Sequence, residues 1–160
     1  MNSKLRFKLF FWYFCHFKVA MIGYLKPKLI KIDEEEIVIC LPLRRRSRNH
    51  LNSMYFGALS VGADLAGGIH GFYHAELAQC KVSLVFKSFQ AQFLRRPESD
   101  VYFVCTDGAQ VKAMLEETQR TKERVNRPIS IGAYTDYPGL TNKVADFTLE
   151  LSVKLLSLKK

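Results

Sequence analysis

The chain has 160 residues, 48% of them apolar and 24% charged. That is enough for one domain with its own buried core, and it excludes a long disordered tail. A formal net charge of +9 favours phosphate-bearing partners, whether nucleic acid, a cofactor tail or an anionic membrane surface. Cys15, Cys40, Cys80 and Cys105 are widely spaced, with no Cys-x-x-Cys pair and no histidine at ligand spacing. Neither a metal site nor a disulfide framework is expected, and reduced cysteines imply a cytoplasmic protein.

Residues 9–23 are an aromatic-rich apolar run behind a basic start, which imitates a signal peptide. His16 and Lys18 interrupt it, and no small-x-small cleavage site follows. The run is also too short to span a bilayer. The expectation is an amphipathic N-terminal helix over residues 1–25 that packs on the core of the domain at 27–160. Contact with a membrane surface is the lesser reading; it draws on the lack of any acid before Asp33.

Residues 28–42 read as two strands joined by an acidic turn, and a basic loop with Arg44, Arg45, Arg46 and Arg48 follows. From Tyr55 to about Gln79 the residues are small, aliphatic or aromatic with no proline. They predict a long, largely buried helix, with Gly67-Gly68 or Gly71 as candidate breaks. A strand is expected at 82–94, ending at Arg95-Arg96-Pro97, and a short one at 100–106. Val111, Met114 and Leu115 give helical spacing to an exposed amphipathic helix at 108–124. Strands at 127–136 and 144–153 complete an antiparallel sheet, the second with clean alternation. The fold class is α+β, one domain over residues 1–160.

Between Arg48 and Gly68, in the first half of that helix and the loop before it, stands a single carboxylate, Asp64. Gly57, Val61, Asp64 and Gly68 follow at spacings of four, three and four, so they share one face. Glycine costs a helix about 1 kcal/mol against alanine, a cost tolerated where a backbone or ligand comes close. The helix start carries free N–H groups at the positive end of a dipole, which suit an oxyanion. A carboxylate within reach can attack a carbonyl or deprotonate water. Equally, Asp64 could hydrogen-bond a sheet residue or face a solvent channel.

Asn49, Gly57 and Asp64 resemble the Asn…His-Gly-Gly…Asp signature of hotdog-fold acyl-CoA thioesterases, most of all the phenylacetyl-CoA type. In that pattern the Asn stands six residues before the His and the acid nine after it. Asn49 and Asp64 stand at those distances from Tyr55. Residues 93–97 are similar to a strand ending in Leu-Arg-Pro, and 144–153 to the last strand of that sheet. The resemblance runs from about residue 30 to the C-terminus; the first helix and the one at 108–124 look like additions of an uncharacterised branch. Tyr55 and Phe56 replace the motif's His and first Gly.

The resemblance implies a hotdog fold, an antiparallel sheet wrapped around a long central helix. It further implies a thioesterase acting on acyl-CoA or acyl-carrier-protein thioesters as a homodimer or homotetramer. In that reading the Gly57 amide holds the thioester oxygen, Asp64 is nucleophile or general base, and Asn49 positions the water or the carboxylate. Tyr55 and Phe56 shape the acyl site, while Arg46, Arg48, Arg95 and Arg96 can meet the phosphates of coenzyme A. No cofactor is expected beyond coenzyme A as part of the substrate. Two other functions remain open: a catalytically silent hotdog module that binds acyl chains, and a nucleic-acid or membrane-surface binder. The aromatics fall in strands and the first helix rather than among the basic residues, so nucleic acid is not expected.

Overall fold

Helix α3, Phe56–Leu77, is the axis of the computed structural model, which describes residues 3–158. Six antiparallel strands surround it: β1 (Lys28–Ile32), β2 (Ile37–Leu41), β3 (Cys80–Phe93), β4 (Val101–Cys105), β5 (Val125–Tyr134) and β6 (Lys143–Leu158). They stand in the order β1-β2-β4-β5-β6-β3, and α3 packs against β2, β3, β4, β5 and β6. This is the α+β, helix-in-sheet architecture that the resemblance implies.

α3 is unbroken, although glycines at 62, 67, 68 and 71 lower its intrinsic propensity. Packing reverses the local preference here. A Cβ on Gly62 would overlap the ring of Phe103, and one on Gly67 would stand 2.7 Å from Ile129 Cδ1. The small residues therefore let the sheet's large side chains approach the helix axis. Phe103, Ile129, Leu149 and Leu151 are all fully buried in the resulting core.

The hairpin joining β1 to β2 is closed by Asp33, whose Oδ1 accepts the amides of Glu35 and Glu36 at 3.0 and 2.8 Å. The expected helix at 108–124 is α4, Gly108–Thr121. Its apolar side is buried at Val111, Met114 and Leu115, so the helix is a covering layer rather than a free surface element. Gly108 is required by close approach, because a Cβ there would overlap the Glu34 carbonyl. The buried Thr118 hydroxyl donates to Glu123 O at 2.6 Å and accepts the Leu155 amide at 3.0 Å, pinning α4 to β6.

The N-terminal segment differs from the single amphipathic helix expected at 1–25. Residues 1, 2, 159 and 160 lie outside the described residues. From Ser3 the chain forms α1 (Ser3–Tyr13), a π-helical turn (Phe14–Lys18) and α2 (Ala20–Leu25). Val19 leaves helical geometry at φ −134°, and α2 then folds back so closely that a Cβ on Gly23 would meet the Cys15 carbonyl oxygen at 2.5 Å. Phe7, Phe11, Cys15, Ile22 and Leu25 are buried. The opposite side is apolar too, so the segment is not amphipathic. Among the described residues no helix is long and apolar enough to cross a membrane.

Candidate active site

The loop before α3 is a tight structure built around Asn49. Its Oδ1 accepts the amides of Leu51 and Ser53 at 2.9 and 3.2 Å, and its Nδ2 donates to Ser53 Oγ at 3.1 Å. The flanking backbone is tied at both ends: the Met54 amide donates to Pro97 O at 2.9 Å and that of Tyr55 to Ser47 O at 2.8 Å. Tyr55 is thus held extended at the helix cap, and the chain turns into α3 at a fixed place. The amides of Ala58 and Leu59 bond to Tyr55 O. Those of Phe56 and Gly57 have no acceptor among the described residues, as expected of the first turn of a helix.

A cleft of about 510 Å³ opens at this helix start, lined by Asn49, Tyr55, Phe56, Arg95 and Arg96 among others. The rings of Tyr55 and Phe56 lie 4.8 Å apart, and Phe56 meets Phe93 edge-on at 6.3 Å. Five of the nine expected site residues are gathered there. Arg46 and Arg48 are not: Arg46 donates to Tyr24 O at 2.8 Å and sits over the Tyr24 ring, and Arg48 forms a bridge with Met54 while its side chain is exposed.

Asp64 opens on a different cavity, about 390 Å³, walled by Phe14, Val19, Ile22, Phe72, Leu84 and Phe86. The N-terminal segment supplies the first three of these. Burial pushes the Asp64 carboxyl above its usual range, because the charged form loses hydration with nothing to replace it. Its oxygens take part in no hydrogen bond or ion pair among the described residues, so the reading of Asp64 as a partner of a sheet residue does not hold. Gly57 and Asp64 are seven residues apart on one helix, about 10 Å at 1.5 Å per residue. Within one chain the acid and the open amides cannot serve one carbonyl.

Two buried histidines on α3, absent from the sequence-based candidates, lie one turn apart. His70 Nε2 is 2.9 Å from Asp33 O, and the rings of His70 and His74 are 4.9 Å apart. Among the described residues, His70 Nδ1 and His74 Nε2 have no hydrogen-bond partner. Burial lowers both, His74 to about 4, so both are neutral near pH 7. The i, i+4 spacing was the signal available for this pair. It sits beneath the acidic hairpin, where His70 meets the Asp33 carbonyl, and lines neither of the two cavities.

No protein-family model and no curated protein matches the sequence. Solved structures do match its shape. A thioesterase from Haemophilus influenzae superposes with a TM-score of 0.65 at 15% identity, over 100% of this chain and 94% of the other. A thioesterase family protein from Silicibacter pomeroyi gives 0.67 at 16%, over 97% and 100%. A protein of unknown function from Chlorobaculum tepidum gives 0.77 at 14%, over 99% and 94%. At such identities the likeness is one of fold: the chain has the hotdog fold, and the solved structures that share it with this chain include thioesterases.

Proposed function

We propose that the protein hydrolyses acyl-CoA or acyl-carrier-protein thioesters as a homodimer or a tetramer built from such dimers. The observation that carries this reading is the Asp64 carboxyl, unpaired and half-buried in an apolar cavity. An unpaired acid of this kind costs stability, and such costs concentrate at functional sites. Water held by Asp64 loses a proton to the carboxylate and attacks the thioester carbon. The oxygen takes up negative charge, the C–S bond breaks, and the thiolate leaves with the proton to give a carboxylic acid and a free thiol.

The oxyanion is held by the open amides at the start of α3, with Gly57 the principal donor. The two-turn separation favours a reading in which acid and amide come from different subunits. Strand β3 supports that arrangement: it is a sheet edge of 14 residues that among the described residues pairs only with β6, and Val85, Phe89, Phe93 and Leu94 are exposed along or just beyond it. A long apolar edge of this kind is a template for a second strand. Pairing of two β3 strands across a two-fold axis brings each Asp64 cavity toward the partner's helix start. Asn49 acts chiefly by holding the loop, with one Nδ2 proton left for the water. Arg95 and Arg96 receive the phosphates of the coenzyme or carrier arm.

The test is thiol release from acyl-CoAs of short, long and aromatic type. Asp64→Asn is expected to lower kcat at least about 100-fold with KM little changed, the range for loss of a positioned acid or base. Hydrolysis that survives this change overturns the mechanism, and binding of acyl-CoA with no turnover of any substrate overturns the activity.

A further inference from the structure

The N-terminal segment is apolar on two opposite sides. Its inner side, with Phe7, Phe11 and Cys15, is buried on the domain. The outer side exposes Leu5, Leu9, Trp12, Phe17, Met21 and Tyr24, each more than half accessible, with Phe17 and Met21 at 66%. Trp12 and Phe17 meet at 5.6 Å, and Tyr13 stacks on Phe17 at 5.5 Å, so the aromatic part is continuous. A helix that is apolar all round is normally covered all round.

The charges around this face identify the cover. Every formally charged residue before Asp33 is Lys or Arg. Arg6 is partnered by Glu76 at 3.1 Å. Lys8, Lys18 and Lys26 are exposed, with Lys18 Nζ 5.6 Å from the Tyr13 ring. A second copy laid face to face would oppose these cations to themselves. An anionic lipid headgroup layer complements them, and its interfacial zone is where Trp and Tyr rings and apolar side chains partition together. Since no helix among the described residues is long and apolar enough to cross a bilayer, the segment would lie in the plane of the surface.

We propose that the outer face of residues 5–24 is a docking surface for an anionic membrane. It orients the domain with the roof of the Asp64 cavity, Phe14, Val19 and Ile22, toward the lipid. The proposal rests on the exposed face and its cations, and is read without any hydrolysis assay.

Trp12 is the sole tryptophan, so its emission reports on this face directly. The full chain is mixed with vesicles of phosphatidylglycerol and phosphatidylcholine in about equal parts, and with phosphatidylcholine alone, at about 0.15 M salt. Expected results are a blue shift and quenching by acyl-brominated lipid with the anionic vesicles only, together with co-flotation. Phe17→Gln with Met21→Gln should weaken binding at least about tenfold, and Lys8→Gln with Lys18→Gln about fivefold per residue removed. Both pairs should keep the native circular dichroism and native mass. Three results would overturn the proposal: no shift with either vesicle, equal binding to neutral vesicles, or a smaller assembly for the Phe17/Met21 variant. The last would assign the face to contact between copies.

Discussion

The ring of Tyr55 fills the space where a Cβ on Gly57 would stand. The residue that replaces the motif histidine is therefore folded over the glycine whose amide is proposed to hold the thioester oxygen. Tyr55 is half-exposed, so its ring can swing away from an added methyl. Gly57→Ala should consequently leave the thermal midpoint unchanged or slightly raised, since alanine is the better helix former by about 1 kcal/mol. Thiol release should fall about tenfold or more as methyl and displaced ring crowd the two open amides. Tyr55→Ala in the same chain should restore most of that loss, a coupling that a double-mutant cycle measures.

For Asp64 the direction of titration is set by burial. Its carboxyl is raised from the ordinary 3.8, and the proposed mechanism uses the base form. The rate should therefore rise with pH through an apparent pKa above that value, and Asp64→Asn should abolish this limb of the profile. A group raised in the folded state favours folding when protonated, so its ionisation removes stability as pH rises through the folded pKa. Asp64→Asn should thus raise the neutral-pH melting temperature by a few degrees, the shift that about 1 kcal/mol gives in a domain of this length. Calorimetry at pH 7 checks it, and an unchanged or lower midpoint contradicts it.

The buried histidine pair predicts acid lability. Both rings titrate below the ordinary 6.5, His74 at about 4. A histidine depressed in the fold contributes stability in full above 6.5, and loses it progressively as pH falls from there toward and through 4. Asp33, Glu34, Glu36, Asp107 and Lys112 are the charged groups acting on the pair. Urea midpoints measured across this window should decline. His74→Leu, which removes one titrating ring and its orphaned nitrogen, should flatten the decline.

Phe89→Lys on the open edge of β3 puts a charge where a second strand would pair. Light scattering should give a smaller assembly than the native chain, and thiol release should fall with it, while circular dichroism stays native. A native assembly mass for this variant would remove β3 as the contact between copies.

Much of the fold could be read from residue order. Alternation and the β-branched runs marked the strands, and the unbroken small-apolar stretch after Tyr55 marked α3. Its glycines looked like breaks because local propensity carries no information about Phe103 or Ile129, which arrive from strands far along the chain. The N-terminal segment was read as amphipathic for a similar reason. Apolar residues stand all around it, and only the packed structure divides them into a buried and an exposed side.

The sequence by itself determined the elements, the positive charge and the position of Asp64 within the central helix. Those depend on spacing along the chain, which is visible in the residue order. Tertiary structure alone decided that Asp64 has no partner among the described residues and opens on a cavity separate from the cleft at Asn49 and Tyr55. It also decided that Arg46 is spent on Tyr24 and that the two histidines are buried neutral. Each of these follows from which surfaces meet in space, and water is excluded only where they meet. That exclusion raises the Asp64 carboxyl and lowers the histidines, so it exists only in the folded chain.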